Sequence, residues 1–190
     1  MDRPIRNGLV ALLLVASLAY PAAVYLGRSA VPPLAFVAVA LLLMTLRIVT
    51  LDLAAARDQR GLLIASAVAL AALAVLAPAV AAKAYPVVMS AAVAAAFGMS
   101  LVHPPSLIER FARLRQPDLP PEGQIWCRAV TMVWAAWLAV NAVVALLLAI
   151  FGSDAAWALW TGLIAYLIMG LLLAGEVVLR RVVVGPRTTA

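Results

Sequence analysis

The chain has 190 residues, of which 67% are hydrophobic and 12% charged, with a net charge of +6 and a mean hydropathy of +1.10. A water-soluble domain of this length cannot clothe its surface with so few polar residues, so lipid is its natural solvent. The basic excess does not call for nucleic acid, because the Arg residues flank apolar runs, where they meet anionic lipid headgroups. The one cysteine, Cys127, excludes an internal disulfide and any CxxC metal or redox site.

Six apolar segments follow one another, at about 8–27, 32–50, 61–80, 85–102, 126–151 and 155–179. Each approaches the roughly 20 residues that cross about 30 Å of hydrocarbon, the second and fourth being short. The first stands behind Arg3 and Arg6, and Ser17-Leu18-Ala19 resembles a signal cleavage site. A retained helix is preferred, since apolar residues continue through Pro21 to Leu26. The second opens at Pro32-Pro33, proline being tolerated in a first helical turn, and Arg47 near its end is expected to snorkel to the interface. Leu51 to Arg60 reads as a helical extension leaving the membrane. The third and fourth segments form a tight hairpin, with Lys83 marking the turn.

The longest hydrophilic stretch is the loop at 103–125. Ser106 and Glu109 match a capping box, in which each side chain satisfies the other's backbone N–H. Leu107, Ile108, Phe111 and Leu114 then share one helical face, with Glu109, Arg110 and Arg113 on the others. A short basic amphipathic helix of this kind lies in the headgroup plane. Pro117, Pro120 and Pro121 make a stiff connector into the fifth segment, and Gly152-Ser153-Asp154 turns the chain into the sixth.

The expected fold is an all-α membrane protein: one domain over 1–190, a compact bundle of six transmembrane helices with one short cytoplasmic interfacial helix. Every Lys and Arg except Arg28 and Lys83 then falls on one side. Cytoplasmic loops keep the basic excess, so both termini are expected inside a bacterial cytoplasmic membrane.

Few residues offer chemistry. Arg128 and Glu176 mirror each other across the turn near Ser153, which predicts an ion pair at similar depth, shared with Arg180, or a site opening to the cytoplasm. Asn141 lies deep in the fifth segment opposite Ile164 to Tyr166, as interhelical glue or as a ligand contact. Tyr85-Pro86 either marks an interface or breaks a helix to line a cavity. His103 is the sole histidine and no carboxylate or Cys cluster stands at ligand spacing, so no metal site is expected. A solvated His103 is preferred over a general base working with Glu109 or Asp118. Trp126 is assigned to the inner aromatic belt, Trp157 and Trp160 to the outer one, and Trp134 and Trp137 to packing. No cofactor motif is present.

From Tyr85 onward the chain resembles a known family. Tyr85-Pro86-Val87-Val88, the run from His103 to Gly123, Arg128 with Val130-Thr131, Val133-Trp134, Asn141, and the tail from Gly162 to Arg181 carry the likeness. They resemble a small family of bacterial inner-membrane proteins found in gene clusters that make aryl polyene and related pigment lipids. Its members often carry the name "ketosynthase", which does not fit, because that enzyme needs a soluble thiolase-type fold with a nucleophilic Cys and catalytic His residues. A looser likeness runs to the intracellular septation protein A family, through Pro105 to Arg110, Trp126 to Arg128 and a Trp-bearing helix with an Asn. The Asn spacing differs by about one helical turn, so no role transfers to Asn141. The first resemblance implies pigment-lipid assembly, the second envelope maintenance or division.

Of three functions weighed, the preferred one is a non-enzymatic accessory protein in envelope-lipid or pigment-lipid assembly that recruits membrane or cytoplasmic protein partners through Leu107 to Arg115, with Arg110, Arg113 and Arg115 as its basic surface. Another is a small transporter or lipid-handling protein built on Arg128, Glu176 and Asn141. The last is a membrane-embedded transferase using His103. The oligomeric state is not legible.

Overall fold

A computed structural model describes residues 3–50 and 57–183 of the chain. The regular structure among these residues is all helical, with no strand. In chain order the helices are α1 (Arg3–Gly27), α2 (Pro33–Thr50), α3 (Arg57–Leu76), α4 (Pro78–Val102), α5 (Leu107–Arg113), α6 (Pro121–Phe151), α7 (Asp154–Leu159) and α8 (Ala165–Val183). A π-helical turn, Trp160–Ile164, joins the last two into one rod. Three stretches are long and apolar enough to cross a membrane: Pro78–Val102, Pro121–Phe151 and Asp154–Arg180. Three further apolar helices are shorter, at Val15–Gly27, Pro33–Ile48 and Arg60–Leu76. The fold is that of a helical membrane protein. Its exposed surface carries Leu42, Val68, Val75, Phe151, Leu167 and Leu171, the side chains lipid would cover.

Prolines set the helix starts. Pro78 opens α4, its missing N–H falling where a helix has no acceptor to offer, so α3 ends at Leu76 and the chain turns at Ala77. This corrects the expected boundaries of 61–80 and 85–102: Lys83 is not in the turn but inside α4, and Tyr85-Pro86 lies well within that helix. Likewise Pro121 opens α6, so the helix absorbs the end of the expected 103–125 loop and the proline connector is shorter. The predicted extension over Leu51 to Arg60 falls partly outside the described residues; α3 begins at Arg57. At the other end of α6, a Cβ on Gly152 would sit 2.7 Å from the Leu148 carbonyl oxygen, so the turn into α7 needs glycine.

α4 is the central helix, packed against α1, α2, α3, α5 and α6. Small residues allow that closeness, with Ala81, Ala82, Ala84 and Ala92 of α4 and Ala142, Ala145 and Ala149 of α6 all buried. Trp157 is fully buried in the main apolar cluster, beside residues of α1, α2, α3 and α4. It is therefore not the belt residue expected at 157. Asp154–Arg180 is the least buried of the three long apolar stretches. Cavities open on its inner side.

The two ends of the bundle differ. At one, Asp154 pairs with Lys83 through a short contact and with Arg28 at 3.4 Å. Arg28 also stacks 4.2 Å from the Tyr25 ring centroid. At the other end, α5 packs on α6 and α4. Its first free N–H groups are not satisfied by the predicted capping box. Leu107 donates to Ser100 Oγ at 2.9 Å and Ile108 to Thr131 Oγ1 at 3.4 Å, so α4 and α6 cap the helix from outside it. Glu109 is turned away from the Ser106 hydroxyl and takes Arg113 instead, at 2.7 Å.

Candidate functional site

An open cavity of about 470 Å³ lies where α1, α2, α4, α6 and the Trp160–Tyr166 region converge. Its wall is chiefly apolar and its polar groups gather at two places. From Tyr85 to Phe97 the wall follows α4 for about 18 Å, at a rise of about 1.5 Å per residue.

At the first place, Arg47 enters the wall. It does not snorkel outward as expected: its Nη2 donates to Ser17 Oγ at 3.1 Å. The Ser17 hydroxyl has one proton, and that goes to the Leu13 carbonyl at 2.7 Å. Ser17 Oγ therefore also accepts from Tyr85 OH, 2.9 Å away. Tyr85 is buried and its ring lies 4.8 Å from that of Tyr20, whose own hydroxyl donates to the Ala82 carbonyl at 2.7 Å. Arg47 of α2 and Tyr85 of α4 thus both donate to Ser17 of α1, and that one hydroxyl links the three helices. Measured along the helices from the Asp154 end, Ser17 sits about 15 Å in and the Arg47 backbone about 21 Å in.

The second polar group is centred on Asn141. Its Nδ2 donates to Ser90 Oγ at 2.9 Å and its Oδ1 accepts from Trp160 Nε1 at 2.9 Å. The indole is a donor only, which fixes the amide orientation. Thr161 completes this side, its hydroxyl donating back to the Trp157 carbonyl at 2.7 Å. Asn141 thus bonds Trp160, at the start of the π turn, and shares the cavity wall with Ala165 and Tyr166. The wider π turn sends Trp160 toward α6 while Thr161 and Tyr166 reach the cavity.

The other predicted site residues are not brought together here. Arg128 and Glu176 make no ion pair. Arg128 Nη1 donates to the Leu101 carbonyl at 2.9 Å, on the α4 side of α6. Glu176 instead lines a separate cavity of about 460 Å³ at the α5 end, with Arg115, Arg180, Trp126 and Cys127. One residue of rotation turns a helix by about 100°, so Cys127 and Arg128 look in different directions despite their equal depth. Glu176 and Arg180 share that cavity without a salt bridge. His103 is exposed at the end of α4, 3.3 Å from the Met99 carbonyl, with Glu109 already engaged by Arg113 and Asp118 exposed.

The loop's basic residues are largely committed to the loop. Arg110 donates to the Pro105 and His103 carbonyls, at 2.9 and 3.2 Å. Arg113 holds Glu109, which is only 8% exposed, and the Pro117 carbonyl at 3.1 Å. Phe111 and Leu114 are exposed, at 58% and 81%, so the predicted apolar face divides: Leu107 faces the bundle and these two face out. Among the described residues no group of three His, Cys, Asp or Glu is placed to hold a metal ion.

Comparison with family models, with curated proteins and with solved structures found no match.

Proposed function

We propose that this protein is a multi-pass bacterial inner-membrane protein that binds an amphiphilic, lipid-like molecule in its central cavity. In this reading the three long and three shorter apolar helices make six spans, with α5 on the cytoplasmic side and Asp154 on the other. The basic excess on the α5 side supports that orientation. The observation that carries the reading is the cavity itself: about 470 Å³, elongated, chiefly apolar, with the Arg47–Ser17–Tyr85 group in its wall. An apolar cavity with a few convergent polar groups is the usual form of a small-molecule site. Arg47 donates only, so the ligand's head carries acceptors, such as a carboxylate, an ester or a phosphate. A polyene-type pigment lipid, the class implied by the family resemblance, has this form.

Uptake of a fluorescent single-chain carboxylate by the purified protein tests the reading. Val93→Trp places a ring in the cavity from the α4 wall and is expected to abolish uptake while the protein still melts cooperatively. Uptake unchanged in that variant overturns the cavity as the site.

A second reading, recruitment of protein partners at the loop, is favoured by the exposure of Phe111 and Leu114 beside Arg115. Replacing Arg110, Arg113 and Arg115 together is expected to abolish function without loss of insertion, and full activity in the triple variant sinks it.

A further inference from the structure

Arg110, Arg113, Arg115, Arg128 and Arg180 lie on or beside α5, and three of these five are spent on the protein itself. Arg110 and Arg113 tie the loop, and Arg128 holds the end of α4. The side chains of Arg115 and Arg180 make no hydrogen bond or ion pair with a described residue, and both line the same cavity of about 460 Å³. Glu176 lines it too, likewise without an ion pair. So does Trp126, whose indole N–H is buried with no acceptor. Phe111 and Leu114 form its apolar border and are otherwise exposed.

We propose that this cavity binds the headgroup of an aminophospholipid, the phosphate on Arg115 and Arg180 and the ammonium on Glu176. The argument is one of charge matching. Two unpaired guanidiniums alone would suit any anionic lipid. A carboxylate among them repels a purely anionic headgroup and attracts one that carries a protonated amine beside its phosphate. The Trp126 N–H adds a donor for a phosphate or ester oxygen. The place agrees: the cavity lies where α6 begins and α8 ends, the level of the headgroups for a membrane-spanning pair, and Phe111 and Leu114 would lie along the acyl chains. The proposal rests on the membrane placement but not on the central cavity.

Native mass spectrometry of the detergent-solubilised full chain tests it, with phosphatidylethanolamine, phosphatidylglycerol and phosphatidylcholine of identical acyl chains. Phosphatidylethanolamine is expected to be retained best, by roughly fivefold over phosphatidylglycerol, the order of one partly exposed ion pair. Glu176→Gln should abolish that preference, and Arg115→Gln, an exposed change that leaves the fold intact, should weaken retention of all three. Val93→Trp should leave the pattern unchanged, which separates this site from the central cavity. Equal retention of the three lipids, or an undiminished preference in Glu176→Gln, overturns the proposal.

Discussion

Trp160 Nε1 donates to Asn141 Oδ1 across 2.9 Å, and through that amide the π turn is tied to Ser90 on α4. Three elements far apart in sequence meet on one buried side chain. Asn141→Leu would leave the Trp160 and Ser90 groups without their partner and is expected to cost about 1–2 kcal/mol. Trp160→Phe should cost a similar amount. The double variant should cost less than the sum, by about 0.6–1.7 kcal/mol, because each change removes the same bond. Thermal unfolding in detergent reads all three, and strict additivity would mean that the bond contributes nothing.

Much of this fold can be read from hydropathy, but facing directions cannot. The six apolar blocks fall on the observed helices to within a few residues at most ends, and the main departure is at Lys83, because Pro78 starts a helix rather than closing one. The signal was present, since proline prefers a first turn. Depth was also legible: Asn141 is buried and Arg128 and Glu176 both lie toward the α5 end. Pairing was not. Counting residues back from a turn gives height along the axis and says nothing of rotation, and the π turn adds a further phase change that no residue pattern announces. Arg47 illustrates the same limit. Its position near a helix end reads as interfacial, yet a helical side chain leans toward the N-terminus, which here carries the guanidinium inward to Ser17.

Arg47→Gln keeps a hydrogen-bond donor and removes the charge. If the central cavity takes an acceptor-bearing head, this variant should bind the single-chain carboxylate at least tenfold more weakly, about 1.4 kcal/mol, while binding of the matching neutral alcohol changes little. Tyr85→Phe removes the proton donated to Ser17 and should show a smaller loss in the same direction. Equal effects on acid and alcohol would mean that Arg47 acts only through packing. A fluorescence titration with the two probes decides it.

The loop should respond unevenly to its arginines. Glu109 is buried and Arg113 is its partner through both Nε and Nη2, at 2.9 and 2.7 Å. Arg113→Ala leaves that carboxylate unpaired and is expected to destabilise by about 1–3 kcal/mol, with faster amide exchange across α5. Arg115→Ala removes no such bond and should change stability by less than about 0.5 kcal/mol. If the two variants exchange at the same rate, the Glu109–Arg113 pair does not hold the loop.

Asp154 pairs with both of the basic residues that stand apart from the rest, Arg28 and Lys83. The three side chains are partly exposed, so Asp154→Asn should cost no more than about 1 kcal/mol, and less in high salt. It should not reverse the protein in the membrane, because orientation follows Lys and Arg rather than net charge. The native Cys127 is buried and is the only cysteine, so Cys127→Ala provides a clean background for labelling. With Ser153→Cys in that background, a membrane-impermeant maleimide added to intact spheroplasts should label the turn beside Asp154, with or without the Asp154→Asn change. Asp118→Cys, in the α5 loop, should label only after lysis. Labelling of the residue 118 position in intact cells would invert the topology and with it the cytoplasmic assignment of the Arg115 and Arg180 cavity.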